Sequence, residues 1–135
     1  MTTVKTGAVH HQTLTVSNLE RSLKFYTSLL GFQKVMDLST TRVLLSNGSA
    51  IIALSMPPDP SRAIPNDVFN ENRLGLDHLS FSVGSRQDLV DAVRLFDAEG
   101  ISHGEIKDLG PAVPVYVLAF RDPDNIQIEL TAPHG

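Results

Sequence analysis

The sequence predicts an α+β fold built from two βαβββ modules. Three observations predict it: a strand motif that occurs twice, an amphipathic helical stretch after each copy, and a matching strand at the end of each half. The motif copies are His11-Gln12-Thr13-Leu14-Thr15-Val16 and His78-Leu79-Ser80-Phe81-Ser82-Val83, 67 residues apart (78 − 11). Alternation over six residues makes each a half-buried strand, with His and two hydroxyls on one face and apolar side chains on the other.

The elements between these strands follow in order. Leu19, Leu23, Tyr26 and Leu30 lie at helical spacing over Leu19 to Leu30, with Asn18 as a cap and Gly31 as a stop. Leu89, Val93 and Phe96 do the same over Asp88 to Glu99, and Gly100 ends that run. Each helix covers the apolar face of its own strand and leaves the His face open. Three strands should follow each helix: Gln33–Leu38, Thr41–Ser46 and Ala50–Met56 in the first half, and His103–Asp108, Val115–Phe120 and Ile126–Thr131 in the second. Asn47-Gly48 is a hairpin turn, and Asp122-Pro123-Asp124-Asn125 is another tight turn. The first module thus covers residues 8–56 and the second 76–133. The linker at 57–75, rich in Pro, Asn and Asp, has room for a short helical turn. Half the chain would bury too little apolar area to stand alone, so the modules should form one domain together.

The terminal strands also align. Ala53-Leu54-Ser55-Met56-Pro57 matches Glu129-Leu130-Thr131-Ala132-Pro133, at an offset of 76 (129 − 53). The offset exceeds 67, so the second half contains extra residues. His11 and His78 occupy one equivalent position, and Ala53 and Glu129 another. Of these four positions, three have side chains that can bind a metal. If a pseudo-twofold axis relates the modules, His11, His78 and Glu129 converge. Two imidazoles and a carboxylate suit Fe(II), Mn(II), Zn(II), Co(II) or Ni(II), and leave positions open for substrate.

A solitary His or Glu on a strand is ordinarily packed or solvated; the recurrence at matching places is what points to chemistry. Thr13, Ala53, Ser80 and Gln127 are expected to line the pocket around the ion. Thr13, His103 and Tyr116 are the candidates for proton transfer, although a surface role for His103 and a core or rim role for Tyr116 are the ordinary readings. By strand alternation His10 should point away from His11, and His134 lies in the tail.

Composition narrows the partners. The formal charge of −4, with no Lys/Arg run, argues against nucleic acid. Without Cys there is no disulfide, thiolate metal site or cysteine nucleophile. Met1 to Gly7 contain no apolar export segment, and no run is long enough to span a bilayer, so a cytoplasmic location is expected.

Several stretches together resemble the vicinal oxygen chelate superfamily, which includes glyoxalases, extradiol dioxygenases, fosfomycin-modifying enzymes and bleomycin-binding proteins. They are His11 to Val16 followed by Asn18-Leu-Glu-Arg-Ser-Leu-Lys-Phe-Tyr-Thr-Ser-Leu-Leu-Gly-Phe32, then Gly75-Leu-Asp-His78-Leu-Ser-Phe, and Phe120-Arg-Asp-Pro-Asp-Asn-Ile-Gln-Ile-Glu129-Leu. The resemblance implies a pseudo-symmetric, cup-shaped mixed β-sheet. It also implies one divalent ion on His11, His78 and Glu129, with Fe2+ or Mn2+ favoured over Zn2+, Ni2+ or Co2+. The fourth ligand of glyoxalase I falls on Ala53, whose methyl group binds no metal, so that chemistry is not expected. A Tyr of the fosfomycin transferases falls on Ala119. What remains is an enzyme for a small molecule with vicinal oxygens, of ring-cleaving extradiol dioxygenase or lyase/isomerase type, acting as a homodimer. The alternative is a metal-free, bleomycin-type binding or resistance protein. The complete His/His/Glu set and the absence of Trp for stacking speak against it.

Overall fold

The computed structural model describes residues 2–135, which divide into two compact units, one ending at Pro65 and the other beginning at Asn66. The first unit contains β1 (Gln12–Thr15), α1 (Leu19–Leu30), β2 (Gln33–Ser39), β3 (Arg42–Ser46) and β4 (Ile51–Ser55), followed by a single 3-10 turn at Pro60–Arg62. Its four strands form one mixed sheet in the order β1-β4-β3-β2, with β1 parallel to β4 and the other pairs antiparallel. The register places Leu14, Val43, Leu45, Ile52 and Leu54 on one face, and all five are buried. Helix α1 lies against β4 and buries Phe25 and Tyr26. Each such side chain contributes roughly 1.5–3 kcal/mol when taken from water. Both ends of α1 are set locally. Asn18 Oδ1 accepts the Arg21 N–H at 3.0 Å, and Gly31, at φ +71°, returns its N–H to the Tyr26 carbonyl.

The second unit repeats this topology. It contains β5 (Leu79–Ser82), α2 (Arg86–Glu99), β6 (Lys107–Asp108), β7 (Val115–Arg121) and β8 (Gln127–Pro133), with strand order β5-β8-β7-β6 and β5 parallel to β8. Leu79, Leu118, Phe120, Ile128, Leu130 and Ala132 are buried on the face that carries α2, which lies against β7 and β8. The α+β architecture of two βαβββ units is therefore the one expected from the repeat. The strand registers also reproduce its alignment: Thr13 pairs with Ala53 in the first sheet, and Ser80 pairs with Glu129 in the second.

Two local expectations are corrected. Helix α2 begins two residues before Asp88, because Ser85 caps it and the Asp88 side chain bonds back to the Ser85 N–H. The expected strand His103–Asp108 is reduced to β6, plus an isolated bridge from His103 to Phe120. There the His103 ring takes the Gly104 carbonyl at 2.7 Å, which removes that acceptor from a ladder. The added length of the second unit lies in the same region. The helix-ending glycines are 69 residues apart (100 − 31), whereas Val43 and Leu118, which pair with the equivalent Leu54 and Leu130, are 75 apart (118 − 43). Among the described residues no helix is long and apolar enough to cross a membrane.

Candidate functional site

The open face of the second sheet holds a connected set of polar side chains. Because β5 runs parallel to β8 with Ser80 beside Glu129, the alternating positions Ser80, Gln127, Glu129 and Thr131 face the same way, and His78 stands just before the strand. His78 Nε2 lies 3.6 Å from Glu129 Oε1, too far for a hydrogen bond but close enough to share a third atom. Glu129 Oε1 accepts the Thr131 hydroxyl at 3.3 Å, and Thr131 Oγ1 and Ser80 Oγ are 2.6 Å apart. The cross-strand neighbour of Glu129 on β7 is Ala119, whose methyl makes no polar claim on the carboxylate. The Glu129 side chain keeps 19% of its surface and that of His78 39%, so both side chains are partly open to solvent.

Behind His78 the network continues. Its Nδ1 meets Asp77 Oδ1 at 2.9 Å, and the same carboxylate oxygen accepts the Gln127 side-chain amide at 2.9 Å. Gln127 Oε1 lies 3.5 Å from Arg121 Nη2. Arg121 is gripped by Glu71 through two bonds of 2.6 and 3.1 Å, and it also donates to the Asn125 carbonyl. The guanidinium holds the Glu71 carboxyl below its usual range, and Glu71 in turn raises Arg121. Neither Asp77, Arg121 nor Glu71 is given a role by the sequence reading. Asp77 sits inside the Gly75-Leu-Asp-His78 stretch, and its adjacency to His78 is the signal that could have found it.

In the first unit His11 is exposed at the entrance to β1. Its Nδ1 lies 2.8 Å from His10 Nδ1, with the rings edge-on. This corrects the expectation that His10 points away: β1 starts only at Gln12, so strand alternation does not govern residues 10 and 11. Thr13 is exposed, and its partner Ala53 is buried at 3% exposure.

The other two proton-transfer candidates stand elsewhere. Tyr116 pairs with Ala132, on the helix-covered side of the sheet, where it stacks on His134 at 4.7 Å and lies under the Arg86 guanidinium at 5.6 Å. His103 has both ring nitrogens engaged, one by Gly104 and one by Asp97 at 2.6 Å, and the Asp97 bond raises its pKa.

The His78–Glu129 pair suits a divalent ion. Two donors each about 2.1 Å from a tetrahedral ion stand about 3.4 Å apart, near the observed spacing. With Nδ1 on a carboxylate, Nε2 is the nitrogen left to face an ion, the usual arrangement for a metal-bound imidazole. Among the described residues no group of three or more His, Asp or Glu side chains is arranged to hold a metal ion by itself. The structure brings together His78 and Glu129, while His11 belongs to the other unit.

Residues 8–130 match the sequence model of the Glyoxalase/Bleomycin resistance protein/Dioxygenase superfamily. The chain belongs to this superfamily. The uncharacterized protein YwkD of Bacillus subtilis (strain 168) is 33% identical over 129 residues, covering 91% of this chain and 94% of that protein. Catechol-2,3-dioxygenase of the same organism is 29% identical over 119 residues, covering 88% of this chain. The match takes in 39% of the length of that dioxygenase. Among solved structures, a glyoxylase/bleomycin resistance protein/dioxygenase domain from Frankia sp. EAN1pec superposes with a TM-score of 0.76 at 29% identity, covering 96% of this chain and 93% of that one.

Proposed function

We propose that this superfamily member is a divalent-metal-dependent enzyme whose ion is held by His11, His78 and Glu129. Its substrate is a small molecule with two neighbouring oxygens. The observation that carries the reading is the 3.6 Å approach of His78 Nε2 to Glu129 Oε1 on the open face of the second sheet, with His11 at the equivalent place in the first. Fe2+ or Mn2+ fits this two-nitrogen, one-carboxylate set best for ring cleavage, and Zn2+, Ni2+ or Co2+ fits lyase or isomerase chemistry. The bound ion would supply Lewis-acid stabilisation of oxyanion charge developing on the substrate.

The chain's own groups do the rest. Thr131 holds one oxygen of Glu129 and orients the carboxylate. With the Thr131 proton on Glu129, Ser80 donates to Thr131 Oγ1 at 2.6 Å, so the pair braces the carboxylate. Thr13 presents a third hydroxyl from β1. Extradiol ring cleavage is favoured over the lyase/isomerase reading by the likeness to catechol-2,3-dioxygenase over 88% of the chain, and because Ala53 leaves the glyoxalase-type fourth ligand unfilled. Action as a homodimer in the cytoplasm is part of the same proposal.

Oxygen uptake tests it. Apo-protein loaded with Fe2+ or Mn2+ should consume oxygen with a panel of catechols and form the coloured ring-opened product, and His78→Ala should abolish both. Metal uptake without oxygen consumption would move the assignment to lyase or isomerase chemistry. Failure to take up any of the five ions would leave the bleomycin-type binding reading.

A further inference from the structure

We propose that Gln127 and Asp77 are positioning residues that hold neutral His78 as its Nδ1–H tautomer, with the Nε2 lone pair turned to Glu129; this rests on the metal reading above. Gln127 was expected to line the pocket, yet both ends of its amide are engaged inside the protein. Hydrogen-bond chemistry fixes which end is which. A guanidinium only donates and a carboxylate only accepts. The amide oxygen must therefore face Arg121 at 3.5 Å and the amide nitrogen Asp77 Oδ1 at 2.9 Å. Arg121 cannot swing away freely, because Glu71 holds it by two bonds and the Asn125 carbonyl by a third.

The Asp77 carboxylate is thus held from a residue 50 positions later, at 2.9 Å from His78 Nδ1. An acceptor-only partner there requires the ring proton on Nδ1, and the tautomer of a histidine is set by the bond its other nitrogen makes. Among the described residues, the first unit sets an imidazole rather than a carboxylate beside His11 Nδ1. The repeat places His10 where the second unit has Asp77, and an imidazole nitrogen can donate or accept. His78 is therefore the imidazole prepared in advance, and the segment containing Glu71 contributes to that preparation from outside the sheet.

Nitrogen-15 NMR of the histidine rings in the metal-free full chain, at a pH well above the usual histidine range, reads the tautomer directly. Wild-type His78 should be the Nδ1–H form. Asp77→Ala should convert it towards Nε2–H, and Gln127→Leu should move it part of the way. Asp77→Asn should retain Nδ1–H, since its amide oxygen can still accept both bonds. Calorimetric titration with Zn2+ should show affinity falling about 10–100-fold in Asp77→Ala and staying near wild type in Asp77→Asn. A His78 tautomer unchanged in both Asp77→Ala and Gln127→Leu would overturn the proposal, whatever the metal result. If the wild-type chain binds none of the five ions while the tautomer still shifts, the metal reading fails and the positioning role stands.

Discussion

His103 shows how one side chain makes stability depend on pH. Its bond to Asp97 raises its pKa from the ordinary 6.5, so the folded state holds that proton more tightly than the unfolded chain does. The resulting stability is fully present below about pH 6.5 and is lost as the pH rises through the folded-state value. Urea unfolding of wild type and Asp97→Asn across this range should show wild type ahead at acid pH, the gap closing on the alkaline side. A gap constant with pH would contradict the account. The same scale separates what was legible from what was not. His78 and Glu129 were readable because a repeat and an alternation mark them. Asp77, Gln127 and Arg121 are joined to one another across 50 and six residues, and no local pattern records such pairings.

Among the elements, helix α1 was legible to its last residue because a cap, a periodic face and a terminal glycine all agree. Helix α2 was read short because the periodic apolar residues begin only at Leu89, while Ser85 starts the helix through a polar exchange with Asp88. The strand before β7 was over-read: only Ile106 is apolar over residues 103–108, and the His103 ring takes a backbone carbonyl. These end signals have measurable weight. Ser85→Ala should cost about 1 kcal/mol of unfolding free energy. Gly100→Ala should cost roughly 1–2 kcal/mol, purely from backbone conformation, since φ is +69° and a methyl there would meet nothing within 4 Å. Denaturant titration measures both. A neutral Gly100→Ala would mean that the turn relaxes.

At the scale of the molecule, the two units have one topology and two chemistries. Equivalent strand pairs place Ala53 in the first unit where Glu129 stands in the second, so one sheet offers a hydrocarbon and the other a carboxylate. The architecture was legible because each unit repeats the other's pattern of apolar faces, and superfamily membership follows from residues 8–130. The proposed centre of His11, His78 and Glu129 is marked in the sequence only by position. Native mass spectrometry of protein purified without chelators or a metal-binding tag tests it most directly. One divalent ion per 14.7 kDa chain in a dimeric assembly, lost in Glu129→Ala with the dimer intact, is the predicted result. A wild-type chain that takes no ion, or a Glu129→Ala chain that keeps full occupancy, would contradict the proposed centre.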